Sequence, residues 1–166
     1  EGQRKKLILE LFYGTGIRLS ELIGLLETNV DLGQKTIKVL GKRNKERIIP
    51  ISESLCEVIS NYKKVKKTSL ENVHSGFLIV NNSGEQSYPM MIQRVVKSYL
   101  QGLKSIDKKS PHVLRHTFAT HLLNKGADLN AVKDLLGHTS LAATQVYTHN
   151  TLDKLKSVFD QAHPKA

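Results

Sequence analysis

Ser110-Pro111-His112-Val113-Leu114-Arg115-His116 opens the stretch around which the chain is organised; it continues through Leu136-Gly137-His138 to Tyr147 and His149. Pro111 suits the first turn of a helix, where its missing N–H would have no partner, and Ser110 is a good N-cap before it. At about 100° per residue, His112, Arg115 and His116 fall on one face while Leu114, Phe118 and Leu122 form an apolar stripe on another. One helix therefore presents two imidazoles and a guanidinium on the side away from its stripe. Gly126 is the expected stop, and Asp128 the cap of a second helix buried by Leu129, Val132, Leu135 and Leu136. Gly137 ends that helix with His138 just beyond, and Thr139 or Ser140 starts a third helix carrying Tyr147.

Working outward, the 166 residues suit one domain with a real core. No apolar run approaches the roughly 20 residues of a membrane helix, and no charged-then-apolar leader opens the chain. The single Cys56 rules out an internal disulfide; flanked by Leu55, Val58 and Ile59 it reads as a buried structural thiol, and the expected compartment is the cytoplasm. Lys and Arg number 25 against 15 acidic residues, a net charge of +10. Such an excess points to a polyanionic partner, most often nucleic acid. The cations cluster at Arg4–Lys6, Lys42–Arg47, Lys63–Lys67 and Lys104–Lys109.

Upstream, Leu7, Ile8, Leu11 and Phe12 predict a helix over Gln3–Phe12, broken by Tyr13-Gly14-Thr15-Gly16. A second helix is expected over Ser20–Leu26, with Arg18 at or before its first turn, where free N–H groups and the dipole suit an anion. A turn-rich link at Asn29–Gln34 leads to strands at Thr36–Leu40 and Arg47–Ile51, joined by a basic hairpin loop at Gly41–Glu46. Ser52 caps a helix to about Lys67, whose lysine-rich end reads as solvated. Phe77–Val80 is expected as a short buried strand completing a three-stranded sheet with the hairpin, and Tyr88-Pro89 starts a helix to about Gly102 that packs Ile92, Val95, Val96 and Leu100. Leu152, Leu155, Val158 and Phe159 give a last amphipathic helix.

His112-x-x-Arg115-His116, Leu136-Gly137-His138 and Tyr147, preceded by Thr15-Gly16-Ile17-Arg18-Leu19-Ser20-Glu21-Leu22 and Gly41-Lys42-Arg43-Asn44-Lys45-Glu46-Arg47, resemble in order the motifs of the tyrosine recombinases, the phage-integrase and Xer-type family. The resemblance spans about Tyr13 to Tyr147. It implies an α+β, mainly helical catalytic domain with a small three-stranded antiparallel sheet, the DNA breaking-rejoining fold, over 1–166. It also implies a C-terminal fragment of a longer integrase, without the family's N-terminal core-binding domain.

The implied activity is site-specific DNA recombination or integration through a 3′-phosphotyrosyl intermediate, with no metal or ATP. In this scheme Tyr147 is the nucleophile and His112 handles its proton. Arg18 and Arg115 clamp the nonbridging oxygens, His138 donates a further hydrogen bond, and Lys42 protonates the leaving 5′-oxygen. Arg43, Lys45 and Arg47 are expected to touch the DNA backbone. Glu21, which would orient Arg18, and His116 stay outside the catalytic set.

A homotetramer on double-stranded DNA is implied through a C-terminal helix at 151–162, with a monomer expected for the fragment alone and no membrane partner. Two other readings stand beside this one: a non-catalytic DNA-binding module of the same fold, and a type IB topoisomerase-like strand relaxation. His112 and His116 at i, i+4 have a metal-pair spacing. Val113 replaces the glutamate such helices carry, and Arg115 between them would repel a cation. Tyr13, Tyr62, Tyr88 and Tyr99 lie within apolar patterns and read as core residues, and His121 has no evident partner.

Overall fold

A computed structural model describes residues 1–71, 73, 75–102 and 109–137. The site candidates His138 and Tyr147 and the helix expected at 151–162 lie outside the described residues.

The chain begins with helix α1, Gly2–Thr15, which buries Leu7, Ile8, Leu11 and Phe12 in the centre of the main core. It runs three residues past Phe12, into the expected break. Gly14 meets Leu55 so closely that a Cβ would sit 3.3 Å from its Cδ2, and the Thr15 hydroxyl donates back to the Leu11 carbonyl. Packing and a local hydrogen bond outweigh the weak helix propensity of Gly and Thr. The stop is Gly16, in the left-handed region at φ 64°. A Cβ there would fall 2.5 Å from Phe118 Cδ1 and 2.7 Å from Leu136 Cδ2. Only glycine combines that backbone with that closeness.

Helix α2, Leu19–Ile23, is shorter than expected because Gly24 closes it. The backbone then turns to pair with a distant segment: Leu78 N–H donates to the Leu25 carbonyl at 2.8 Å, and Glu27 N–H to Gly76 O at 2.9 Å. Phe77 thus bridges Leu26, and the expectation that Phe77–Val80 completes the sheet is corrected. The third strand is β1, Val30–Asp31, inside the segment read as a link. It lies antiparallel to β2, Thr36–Leu40, which in turn pairs with β3, Glu46–Pro50. Pro50 is tolerated because β3 is an edge strand.

Helix α3, Glu53–Ser69, starts with Ser52 Oγ accepting from Leu55 N–H and packs along α1, with Cys56 buried as expected. Its basic end is not all solvated: Lys66 is 5% exposed, and its ammonium donates to Glu27, Phe77 O and Leu78 O. Helix α4, Pro89–Leu100, buries Ile92, Val96 and Leu100. Tyr88 at its N-cap and Tyr99 on it are exposed, against expectation, while Tyr62 is buried and accepts from Val80 N–H.

Helix α5, Pro111–Asn124, lies on α1 and buries the expected stripe of Leu114, Phe118 and Leu122. Ser110 is at its N-cap without a capping bond from its hydroxyl. Asp128 does cap α6, Leu129–Leu136, accepting from Ala131 N–H. Phe118 and Leu122 join Val132, Leu135 and Leu136 in a second small core, whereas Leu129, expected inside, is 53% exposed. Among the described residues no helix is long and apolar enough to cross a membrane.

Candidate active site

Four pieces of backbone meet at one place: the turn Gly16–Arg18 after α1, the hairpin between β2 and β3, α5, and the C-terminal end of α6. Helix ends and tight turns supply free carbonyls there, and the arginines of the hairpin and of α5 donate to them.

Arg115 projects from α5 and donates to the carbonyls of Gly16 and of Leu136, the latter at 2.6 Å. Burial holds its guanidinium below the ordinary arginine range, at about 10, with the charges of Arg18 and Arg47 adding to the depression and Glu21 opposing it. Arg18 occupies the N-cap of α2 with extended backbone. Its N–H donates to Glu21 Oε2 at 2.9 Å and its Nη1 to Glu21 Oε1 at 3.0 Å. The Arg18 side chain stays 31% exposed, whereas that of Glu21 is 1% exposed. Glu21 therefore fixes Arg18 from below while leaving part of the guanidinium open.

Arg47 is placed differently from the expectation. It is 5% exposed and points into the protein. Nη2 donates to Glu21 Oε2 at 2.8 Å, Nη1 to Glu21 Oε1, and Nε to the Leu135 carbonyl at 2.9 Å. With all three nitrogens engaged inside the protein, Arg47 is not the exposed hairpin cation the sequence suggested. Strand alternation carried the signal: Arg47 and Ile49 share one face of β3, and Arg47 lies opposite the buried Val39. A charge in a basic run hid a core-facing position.

Glu21 balances this cluster. Burial pushes its carboxyl up, but the hydrogen bonds and charge of Arg47, with the bonds from Arg18, outweigh that and hold it below the ordinary carboxylate range. Three guanidinium charges against one carboxylate leave the cluster positive, so an anion at its open side is favoured. Gly137 closes the floor at φ 72°. A Cβ there would lie 3.1 Å from Arg47 Cδ and 3.3 Å from Arg18 Nη1, so the α6 terminus touches both arginines. His138 follows directly in the sequence.

The hairpin approaches from the other side. Gly41 N–H donates to Lys45 O at 2.8 Å, and a Cβ on Gly41 would lie 3.4 Å from Glu21 Oε1. Lys42, the next residue in the chain, is exposed, and Arg43 and Lys45 are exposed with it. Arg43 and Asn44 take positive φ, 59° and 56°, which turns the loop tightly. His112 is exposed one turn before Arg115, and His116 is exposed on the same helix. His121, which the sequence left without a partner, meets Tyr13: Nδ1 is 3.2 Å from the hydroxyl and the rings are edge-on.

Among the expected catalytic residues, the structure gathers Arg18 and Arg115 directly and Lys42 through Gly41, while His112 shares a helix with Arg115. The model of the phage integrase family matches residues 1–153. The chain belongs to the phage integrase family. It is 46% identical over 168 residues to the tyrosine recombinase XerC of Chlorobaculum parvum, an alignment covering 98% of this chain and 50% of that protein. It is 44% identical to the tyrosine recombinase XerD of Yersinia pestis, covering 98% of this chain and 55% of that one. The chain thus spans about half the length of the curated relatives it matches. The fold is similar to that of the XerA recombinase, with a TM-score of 0.71 and 29% identity over 100% of this chain and 65% of that one. It is also similar to that of the XerH recombinase bound to its difH substrate, with a TM-score of 0.73 and 24% identity, covering 95% and 42%. The mainly helical architecture with one three-stranded antiparallel sheet is therefore an integrase fold.

Proposed function

We propose that this integrase chain carries the strand-cleaving and rejoining centre of a site-specific DNA recombinase acting on double-stranded DNA in the cytoplasm. The observation that carries this reading is the positive cluster of Arg18, Arg47 and Arg115 around Glu21, open at Arg18, with Gly41 of the hairpin against the same carboxylate. A phosphodiester carries one negative charge that grows on its nonbridging oxygens during displacement, and preorganised guanidiniums stabilise that growth.

In the reaction Tyr147 attacks the scissile phosphorus and its proton passes to His112. The new bond is a 3′-phosphotyrosyl ester, and the bond to the 5′-oxygen breaks as Lys42 supplies the proton that makes a 5′-hydroxyl. Arg18 and Arg115 hold the nonbridging oxygens, joined by His138. Attack by a 5′-hydroxyl from another duplex reverses each step, so the phosphoester energy is kept and neither a metal nor ATP enters. Arg43 and Lys45 contact the backbone beside the cleavage point. Assembly on DNA is a homotetramer docked through 151–162, and the isolated chain is a monomer.

The test is a nicked suicide duplex, from which the strand beyond the cleavage point diffuses away, run on a denaturing gel with the full-length protein. The expected result is a covalent protein–DNA band, absent with Tyr147→Phe and unchanged by a chelator. No band on a verified cognate site leaves a binding module. Relaxation of a plasmid that lacks the site indicates a topoisomerase instead.

A further inference from the structure

Arg47 is the most heavily engaged cation in the described site. Its own strand, β3, forms one arm of the hairpin that carries Lys42. Its guanidinium takes both oxygens of Glu21, the carboxylate that orients Arg18 and that Gly41 packs against. Its Nε holds the Leu135 carbonyl, and its Cδ lies under Gly137, at the end of α6. One side chain therefore ties together the hairpin, the α2 arginine and the α6 terminus. Arg47 itself is too buried, and too fully bonded, to touch a phosphate.

We propose that Arg47 is a positioning residue for strand cleavage, a cross-brace that sets the distance between the Lys42 hairpin and the arginines that bind the phosphate. This rests on the strand-cleavage reading above. A planar guanidinium spans a carboxylate and a separate carbonyl at fixed angles, which a compact ammonium does not. Without the brace, the hairpin keeps its strand pairing but loses its register against Glu21 and Gly137. A general acid displaced by about 1 Å loses on the order of 10²-fold in rate. The step that suffers is protonation of the 5′-oxygen, because Lys42 is the group on the moving piece.

The experiment compares two suicide duplexes in the full-length protein, one with the ordinary 5′-bridging oxygen and one with sulfur in its place. In the sulfur duplex the P–S bond breaks and a thiolate departs without needing a proton, because a thiol is a far stronger acid than an alcohol. Arg47→Lys is expected to slow the oxygen duplex by at least about tenfold and the sulfur duplex by less than about threefold, following the pattern of Lys42→Ala, whose lost acid is likewise by-passed. A side chain that merely holds the fold would slow both duplexes alike. Glu21→Gln, which keeps the volume and one acceptor oxygen, supplies the same ratio if Arg47→Lys does not fold, with a gap in the same direction expected. Equal slowing of the two duplexes, or no slowing of either, overturns the proposal while the wild-type adduct keeps the strand-cleavage reading intact. A wild-type protein that forms no adduct on either duplex overturns both.

Discussion

Two carboxylates in this chain sit against buried cations, and they do opposite jobs. Glu27 follows α2 and takes Lys66 and, at 3.3 Å, the half-exposed Lys63. Lys66 spends its remaining donors on the carbonyls of Phe77 and Leu78, fastening a segment that no strand of the sheet holds. Glu21 instead gathers Arg47 and Arg18, with Arg115 close enough to feel their charges. In the first case the cation's donors end on backbone and the result is a tether. In the second, guanidiniums outnumber carboxylates, one of them stays part-open, and the result is a place for an anion. A buried charge alone does not mark a site; what sets this one apart is that three guanidiniums from three separate elements converge on it.

The contrast breaks most sharply on activity. Arg115→Ala removes a charge from the proposed phosphate clamp, and the rate of covalent adduct formation is expected to fall by at least about 10²-fold. Lys66→Ala leaves that rate, per folded molecule, within about twofold because its cluster is elsewhere. Loss of activity in both variants would erase the distinction.

Stability reverses the order. Lys66→Ala leaves Glu27 and two carbonyls short of a partner in a buried place and is expected to cost about 3 kcal/mol in urea unfolding. Lys63→Ala, at the wet rim of the same carboxylate, is expected to cost under about 1 kcal/mol. Equal losses would mean the tether is not Lys66.

Acid sharpens the comparison further. Glu27 is held below the ordinary carboxylate range like Glu21, burial raising it and Lys66 and Lys63 more than offsetting that. A carboxyl depressed in the folded state contributes stability fully above its unfolded value of about 4.3, and that stability is lost as pH falls toward the folded value. Glu21→Gln is therefore expected to flatten the decline of the urea midpoint below about pH 5, and Glu27→Gln to flatten it less, since its side chain is part-open. Slopes parallel to wild type would show that neither carboxylate carries the linkage.

The smallest effect separates the outer hairpin cations from the inner one. Arg43→Ala and Lys45→Ala are each expected to lower the salt slope of DNA binding by about 1, and Arg47→Lys to leave it unchanged. An Arg47 variant that changed the slope would put that side chain back on the DNA.

Much of this was legible in the residues themselves. Helical spacing gave α1, α3 and α5, and cap chemistry fixed Ser52, Asp128 and Gly137. The motifs pointed to Arg18 and Arg115, which the fold draws toward Glu21, and to Lys42, whose neighbour Gly41 lies against that carboxylate. What escaped depended on distant partners. The two-residue strand Val30–Asp31 has too little periodicity to read and exists only because β2 lies beside it. Phe77–Val80 has a strand's composition, but Phe77 and Leu78 pair with the segment after α2. Arg47 and Lys66 looked like members of solvated basic runs, and only the carboxylates that reach them from α2 and the turn after it turn them inward.

The central claim is that Tyr147 becomes joined to DNA. Its most direct test is to trap the adduct on a suicide duplex, digest the protein and DNA, and locate the nucleotide-bearing peptide by mass. The account predicts a 3′-phosphonucleotide on Tyr147 alone. A nucleotide on any other residue, or none from a duplex the protein demonstrably binds, would contradict it.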